Sequence, residues 1–174
     1  RVRAEIGDGL RGILHEIEEY LNELVLVRQH RRQRRIVFLD EADVTGEAGL
    51  GKSTLLDHWT HSLRGALTAR GRCLQQFGGS EAYLPVFEAL DQLSRTLGRR
   101  LTDTLHANAP TWLLHMPALI SAEERAALRQ EMFGSTPERM VREIVTALEV
   151  ISAETPVVLV LEDLQWSDPA TLNL

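Results

Sequence analysis

Residues 46–53 read Gly46-Glu47-Ala48-Gly49-Leu50-Gly51-Lys52-Ser53, and Thr54 follows. Glycine takes positive φ without steric cost, so Gly46, Gly49 and Gly51 let the backbone curl around an anion. The amide N–H groups of residues 49–53 then point inward as a nest, and a helix starting near Ser53 adds its positive end. In a loop of this spacing, G-x-x-x-x-G-K-[ST], the Lys52 ammonium reaches the outer phosphates of a nucleotide. The Ser53 hydroxyl completes the coordination of Mg²⁺, and Thr54 offers a second hydroxyl near the α-phosphate. All nine residues, Gly46 to Thr54, are candidate ATP contacts.

A second chemical element lies about a hundred residues downstream. Val157-Val158-Leu159-Val160-Leu161 runs directly into Glu162-Asp163. An apolar run ending in two acids puts carboxylates at the C-terminal edge of a buried strand, where open α/β sheets bind their ligands. One carboxylate can hold hydrated Mg²⁺ and the other can orient the attacking water. Lys52, Glu162 and Asp163 are thus the candidate catalytic residues, and Ser53, Glu162 and Asp163 the candidate metal ligands.

Composition sharpens the reading of Lys52. Of 19 basic residues 18 are arginine, and Lys52 is the remaining one. A lysine retained under that bias suits a place that needs a slim ammonium rather than a planar fork. The 174 residues carry a net charge of −6, which offers no global basic face for nucleic acid. One cysteine, Cys73, excludes an internal disulfide framework and a Cys-based zinc site. The longest apolar run, 157–161, is far short of the ~20 residues a membrane span needs, so no membrane partner is expected.

The elements that must position these residues follow from periodicity. Leu10 to Val27 has the apolar spacing of an amphipathic helix. A connector with arginines at 31, 32, 34 and 35 follows, then a strand over 36–39. The reading gives a helix from Ser53 to about Ala69 ended by Gly71, a strand over 72–77, and a helix from Pro85 to about Leu97. Residues 98–120 read as short helical pieces. Ser121 to Glu124 is a capping box opening a helix to about Met132, and Thr136-Pro137 caps a helix with core stripe Met140, Val141, Ile144, Val145, Leu148 and Ile151. The strand 157–161 comes next, and Asp168-Pro169 opens a last helix. Strands alternating with helices predict an α/β domain with a parallel sheet. The domain boundaries read as 1–35, an N-terminal helix and basic connector, and 36–174, a partial phosphate-loop ATPase domain.

The segments VTGEAGLGKSTLL, GGSEAYLP, TWLLHMPALISAEE and TPVVLVLEDLQWSDPATL resemble the AAA-like ATPase domain of bacterial STAND-type signal-transduction ATPases. These include MalT-like and LuxR-type transcriptional regulators and ATPase modules beside adenylate cyclase domains. The likeness covers residues 44–174. It implies that Gly46 to Thr54 is Walker A and Glu162-Asp163 Walker B, with Gln165 where the family usually has His. It further implies an ATP/ADP switch in the cytoplasm with Mg²⁺ as cofactor, self-assembly through the ATPase domain of a full-length protein, and DNA contact only through domains outside residues 1–174. It also implies a strand between the two Walker strands. Residues 1–174 supply no candidate for it, so the fold class reads as a C-terminally truncated P-loop NTPase with its Walker strands on either side of a gap. Hydrolysis is then expected only in the full-length protein.

Other readings were weighed. A P-loop small-molecule kinase is the alternative function, although no Arg-rich lid is visible, and a nucleotide-independent interaction module is a third. Asp40-Glu41-Ala42-Asp43 spells a helicase motif but stands before the phosphate loop instead of after it. His58 and His61 have i, i+3 spacing without a visible third ligand. Tyr83, Trp59, Trp112 and Trp166 read as packing residues before base-stacking ones, and Arg125, Arg129, Arg139 and Arg142 as a solvated helix face before an arginine finger.

Overall fold

A computed structural model describes residues 36–40, 52–73, 82–131 and 136–174. The helix expected over 10–27, the basic connector and residues 46–51 of the phosphate loop lie outside the described residues.

The strands are β1 (Ile36–Asp40), β2 (Leu67–Arg72) and β3 (Val157–Glu162), all parallel, in the order β1-β3-β2. β3 is a run of β-branched and aliphatic residues ending in one acid. Such a strand is most stable with both faces covered and both edges paired, and all six of its residues are buried in the centre of the sheet. On one side Ile36 stands opposite Val157 and Asp40 opposite Leu161; on the other Leu67 stands opposite Val157 and Arg72 opposite Glu162.

This order overturns the expected gap. β1 and β3, the strands expected to carry the two Walker motifs, are hydrogen-bonded to each other over five residue pairs, with no strand between them. Two adjacent apolar runs satisfy their backbone groups by pairing directly, which leaves β3 no open edge. The outer edge of β2 is also covered. The Arg72 amide donates to Glu88 Oε2 at 2.8 Å and the Arg70 amide to Gln92 Oε1 at 2.6 Å. Glu88 and Gln92 are one turn apart on α2 (Leu84–Leu97), so a helix face blunts the edge.

A second correction concerns the segment after the phosphate loop. α1 is Lys52–Ser62, ending seven residues earlier than expected, and a strand lies at 67–72, ahead of the one expected over 72–77, of which residues 74–77 lie outside the described residues. The chain leaves α1 through Gly65, whose φ is +80°. Gly71, read as the helix-ending glycine, is a strand residue. A Cβ built on it would lie 1.7 Å from the Pro85 carbonyl oxygen, so its missing side chain is what lets β2 approach the start of α2.

Elsewhere local signals placed the elements well. α3 (Arg99–Asn108) and α4 (Pro110–Leu113) are the short pieces expected over 98–120. α5 (Ala122–Glu131) opens with the reciprocal bonds of a capping box: the Ser121 amide donates to Glu124 Oε2 and the Glu124 amide to Ser121 Oγ. α6 (Pro137–Ser152) starts at Thr136, whose hydroxyl accepts from the Arg139 amide. Ile144, Leu148 and Ile151 of its stripe are buried, whereas Met140 and Val141 are only partly covered. α7 (Pro169–Leu172) is capped by Asp168.

The main core lies between one sheet face and α2, α3, α4 and α6. Ala69, Val157 and Leu159 meet Val86, Leu90, Leu101, Leu105, Trp112, Ile144 and Leu148 there. Trp112 stacks obliquely on Tyr83 and Phe87 and donates its indole N–H to the Met140 carbonyl at 2.8 Å. Buried Glu143 accepts from the amide and hydroxyl of Thr111 and from Arg139 Nε, which fastens α4 to α6.

Cys73 is buried just beyond β2, where its amide donates to the Glu162 carbonyl. Burial pushes its thiol pKa up. We therefore expect thiol-specific alkylation of the native protein at neutral pH to run at least about tenfold slower than in urea-unfolded chain. The raised pKa adds stability below the ordinary thiol value of ~8.5 that is lost as pH climbs through the folded value, so unfolding midpoints should fall on the alkaline side.

Candidate functional site

Parallel strands bring their C-terminal ends to one edge of the sheet. β1 ends at Asp40 opposite Leu161, so Glu162 stands one step beyond the point where the chain leaves for the phosphate loop. The chain returns from that loop as α1, whose first residues are Lys52 and Ser53. Thr54, in the first turn of α1, is exposed. Gly46, Glu47, Ala48, Gly49, Leu50 and Gly51 lie outside the described residues. Asp40, the first residue of the Asp40-Glu41-Ala42-Asp43 segment, is the last residue of β1.

Glu162 is the last residue of β3, with its side chain only 6% exposed. A buried carboxylate must be paired, and two arginines of the adjoining strand do this. Arg70 Nη1 donates to Glu162 Oε1 at 3.0 Å and Arg72 Nη2 to Oε2 at 3.1 Å. In a parallel pair, residues two apart on β2 share a face, so Arg70 and Arg72 point the same way as Glu162. Arg70 Nη1 also lies 2.7 Å from Asp57 Oδ1, and its Nη2 donates to the Thr60 hydroxyl. Both of those partners are on α1, which places that helix over the face opposite the main core. The hydrogen bond and charge of Glu162 raise the pKa of Arg72.

Asp163 turns the chain out of the sheet with φ 59°, a left-handed conformation that Asp tolerates better than most residues. Its side chain is 39% exposed, and Arg72 Nε lies 3.8 Å from its Oδ2. A 3₁₀ turn at Leu164–Trp166 follows. Asp168 then accepts from the Ala170 and Thr171 amides, from the Thr171 hydroxyl and, at 3.2 Å, from the amide of Tyr83. That last bond ties the segment after β3 to the entrance of α2.

Glu162 and Asp163 offer oxygen donors of the kind Mg²⁺ takes. Carboxylate and hydroxyl oxygens are the hard ligands that ion takes. The two arginine N–H groups occupy about two of the roughly four lone-pair positions of Glu162. Asp57, Glu162 and Asp163 set three negative charges against the two of Arg70 and Arg72.

Arg70 and Arg72 are functional candidates that sequence reasoning missed. Arg70 fell at the end of an overlong helix and Arg72 in a strand set too late. The available signal was alternation: two arginines two apart in a strand that ends level with an acid. The lesser candidates sort differently. His58 is exposed, His61 Nδ1 lies 2.6 Å from the Asp57 carbonyl oxygen, and no cluster of three or more His, Cys, Asp or Glu suited to a metal occurs among the described residues. Trp59, Trp112 and Tyr83 are buried as expected, whereas Trp166 is 43% exposed. Arg129 and Arg142 are exposed, while Arg139 is engaged with Glu143.

A small parallel sheet with the strand before a phosphate-loop motif beside an acid-bearing strand defines an α/β fold of the P-loop type. A family model for the AAA ATPase domain matches residues 18–174, and the chain belongs to that family. It is therefore an AAA-like P-loop ATPase domain, a class that binds nucleotide and usually uses Mg²⁺. No curated protein and no solved structure matches the chain. No helix among the described residues is long and apolar enough to cross a membrane.

Proposed function

We propose that this chain is the ATP-binding, slowly hydrolysing switch module of a larger bacterial signalling or transcriptional regulator that works in the cytoplasm. ATP or ADP sets its assembly state, and domains outside residues 1–174 act on DNA. The observation that carries the nucleotide reading is the adjacency of two strand ends. β1 leads into the phosphate-loop motif and β3 ends in Glu162, side by side at the C-terminal edge. The regulator context draws its support from the likeness of LEDLQWSDP and the segments before it to STAND-type ATPases.

In this reading the loop 46–51 and the start of α1 bind the phosphates through backbone N–H groups, and Lys52 balances the charge of the outer two. Ser53 and Glu162 would hold Mg²⁺, assisted by Asp163, and the ion would offset the negative charge of the nucleotide phosphates. Asp163, the more exposed of the two acids, orients and deprotonates the attacking water.

Asp163→Asn should leave ATP affinity within about threefold and cut turnover of the full-length protein by about 10²-fold or more, the scale of a lost general base. Glu162→Gln should instead reduce the Mg²⁺ dependence of binding. Steady-state phosphate release and ATP titration separate the two effects, and parental turnover in both variants would remove this pair from catalysis.

The direct β1–β3 pairing is also the arrangement of P-loop kinases, and it gives the phosphotransferase reading its one structural support. The match to the AAA ATPase domain weighs against that reading. Adding candidate phosphate acceptors to the turnover assay tests it: an acceptor-dependent rise in ADP would favour the kinase.

A further inference from the structure

We propose that Arg70 is a positioning residue that couples the two halves of the candidate site, a reading that rests on the nucleotide function proposed above. Its guanidinium bridges β3 and α1 by ion pairs, with Glu162 Oε1 at 3.0 Å on one side and Asp57 Oδ1 at 2.7 Å on the other. The Thr60 hydroxyl, one turn after Leu56 on α1, accepts a further N–H at 3.2 Å. Arg70 is itself fixed, because its backbone amide is held by Gln92 of α2 and its side chain is only 23% exposed.

The consequence follows from where the two partners lie. Glu162 is the C-terminal residue of the acid strand, and α1 is the helix that opens with Lys52 and Ser53. Asp57 is five residues, under two turns, from Lys52. Arg70 therefore sets the spacing between the acid that would face Mg²⁺ and the helix end that would face the phosphates. The guanidinium presents two nitrogens in one fixed plane, Nη1 to Glu162 and Asp57 and Nη2 to Thr60, whereas an ammonium would offer its three donors from a single rotatable centre. Arg72 differs. Its side chain is 59% exposed and pairs with Glu162 and Asp163, both at the end of β3, so it neutralises charge there.

Coupling of this kind is visible in the metal dependence of binding. The ratio of ATP affinity in Mg²⁺ to that in EDTA reports how well the metal and phosphate halves act together. The experiment measures this ratio by calorimetry for the parent chain, Arg70→Lys, Asp57→Asn and Arg72→Gln, with the thermal midpoint of each nucleotide-free protein. Asp57→Asn is the variant safest for folding, since that side chain is 55% exposed and its loss leaves the Arg70–Glu162 pair in place.

Arg70→Lys and Asp57→Asn should each lower the Mg²⁺-to-EDTA ratio by about fivefold or more, the low end of site-to-site coupling, while affinity in EDTA stays within about twofold. Arg72→Gln should change the ratio less than either. Equal losses in Mg²⁺ and EDTA that track the thermal midpoint would show a purely structural residue and overturn the proposal, as would an unchanged ratio in Asp57→Asn. A parent that binds no ATP under either condition would overturn the nucleotide reading, and this proposal with it.

Discussion

Gly71→Ala should destabilise the domain by about 3 kcal/mol or more, the upper range for forced overpacking. The added methyl would stand 1.7 Å from the Pro85 carbonyl oxygen and 2.4 Å from its carbon. Those atoms are backbone at the start of α2, so no side-chain rotation relieves the clash. β2 and α2 must part, and the hydrogen bonds that the Arg70 and Arg72 amides donate to Gln92 and Glu88 go with them. For a chain of this size that cost corresponds to a drop of about 6–12 °C in thermal midpoint. Gly65→Ala is the internal comparison. Space there is open, but φ is +80°, so the cost is conformational and nearer ~1 kcal/mol. If Gly71→Ala melted with the parent, the close approach of β2 to α2 would be wrong.

Lys52→Ala and Lys52→Arg should both weaken ATP binding by about tenfold or more, or ~1.5–3 kcal/mol for a charge-assisted contact. The arginine variant is the informative one. With 18 arginines already present, a site content with a guanidinium has had every compositional reason to hold one. A planar fork is also wider than the slim ammonium that a loop of this spacing takes. Anisotropy of a fluorescent ATP analogue reads both variants. Parental affinity in Lys52→Arg would remove the argument from composition.

What the sequence disclosed and what it hid divide along sequence separation. The capping box at Ser121, the N-caps at Thr136 and Asp168 and the apolar run of β3 are each written within a few residues, and all four stand in the structure. Gly71 misled because its role is tertiary. A glycine after a helical pattern is ordinarily a C-cap, and nothing nearby in sequence reveals that Pro85 will press against it. The pairing of β1 with β3 joins residues more than a hundred apart, and the Arg70–Glu162 contact spans 92 positions. Local pattern carries no information at that range. The acids were legible as candidates because they end an apolar run; the arginines that hold Glu162 were not.

The same division applies to the phosphate-loop motif. Its chemistry is legible from Gly46 to Thr54, whereas the pairing of β1 with the acid-bearing strand had to come from the fold. Placing β1 directly against β3 brings Glu162 level with the exit of β1 without the intervening strand that the family resemblance implied.

The central claim is that this C-terminal edge binds one nucleotide together with Mg²⁺. Calorimetric titration of the 174-residue chain with a slowly hydrolysed ATP analogue, in Mg²⁺ and again in EDTA, tests it most directly. The account predicts saturable binding at one site per chain, tighter in Mg²⁺ by about tenfold. The absence of saturable heat in both buffers, from protein shown to be folded by its thermal transition, would contradict it.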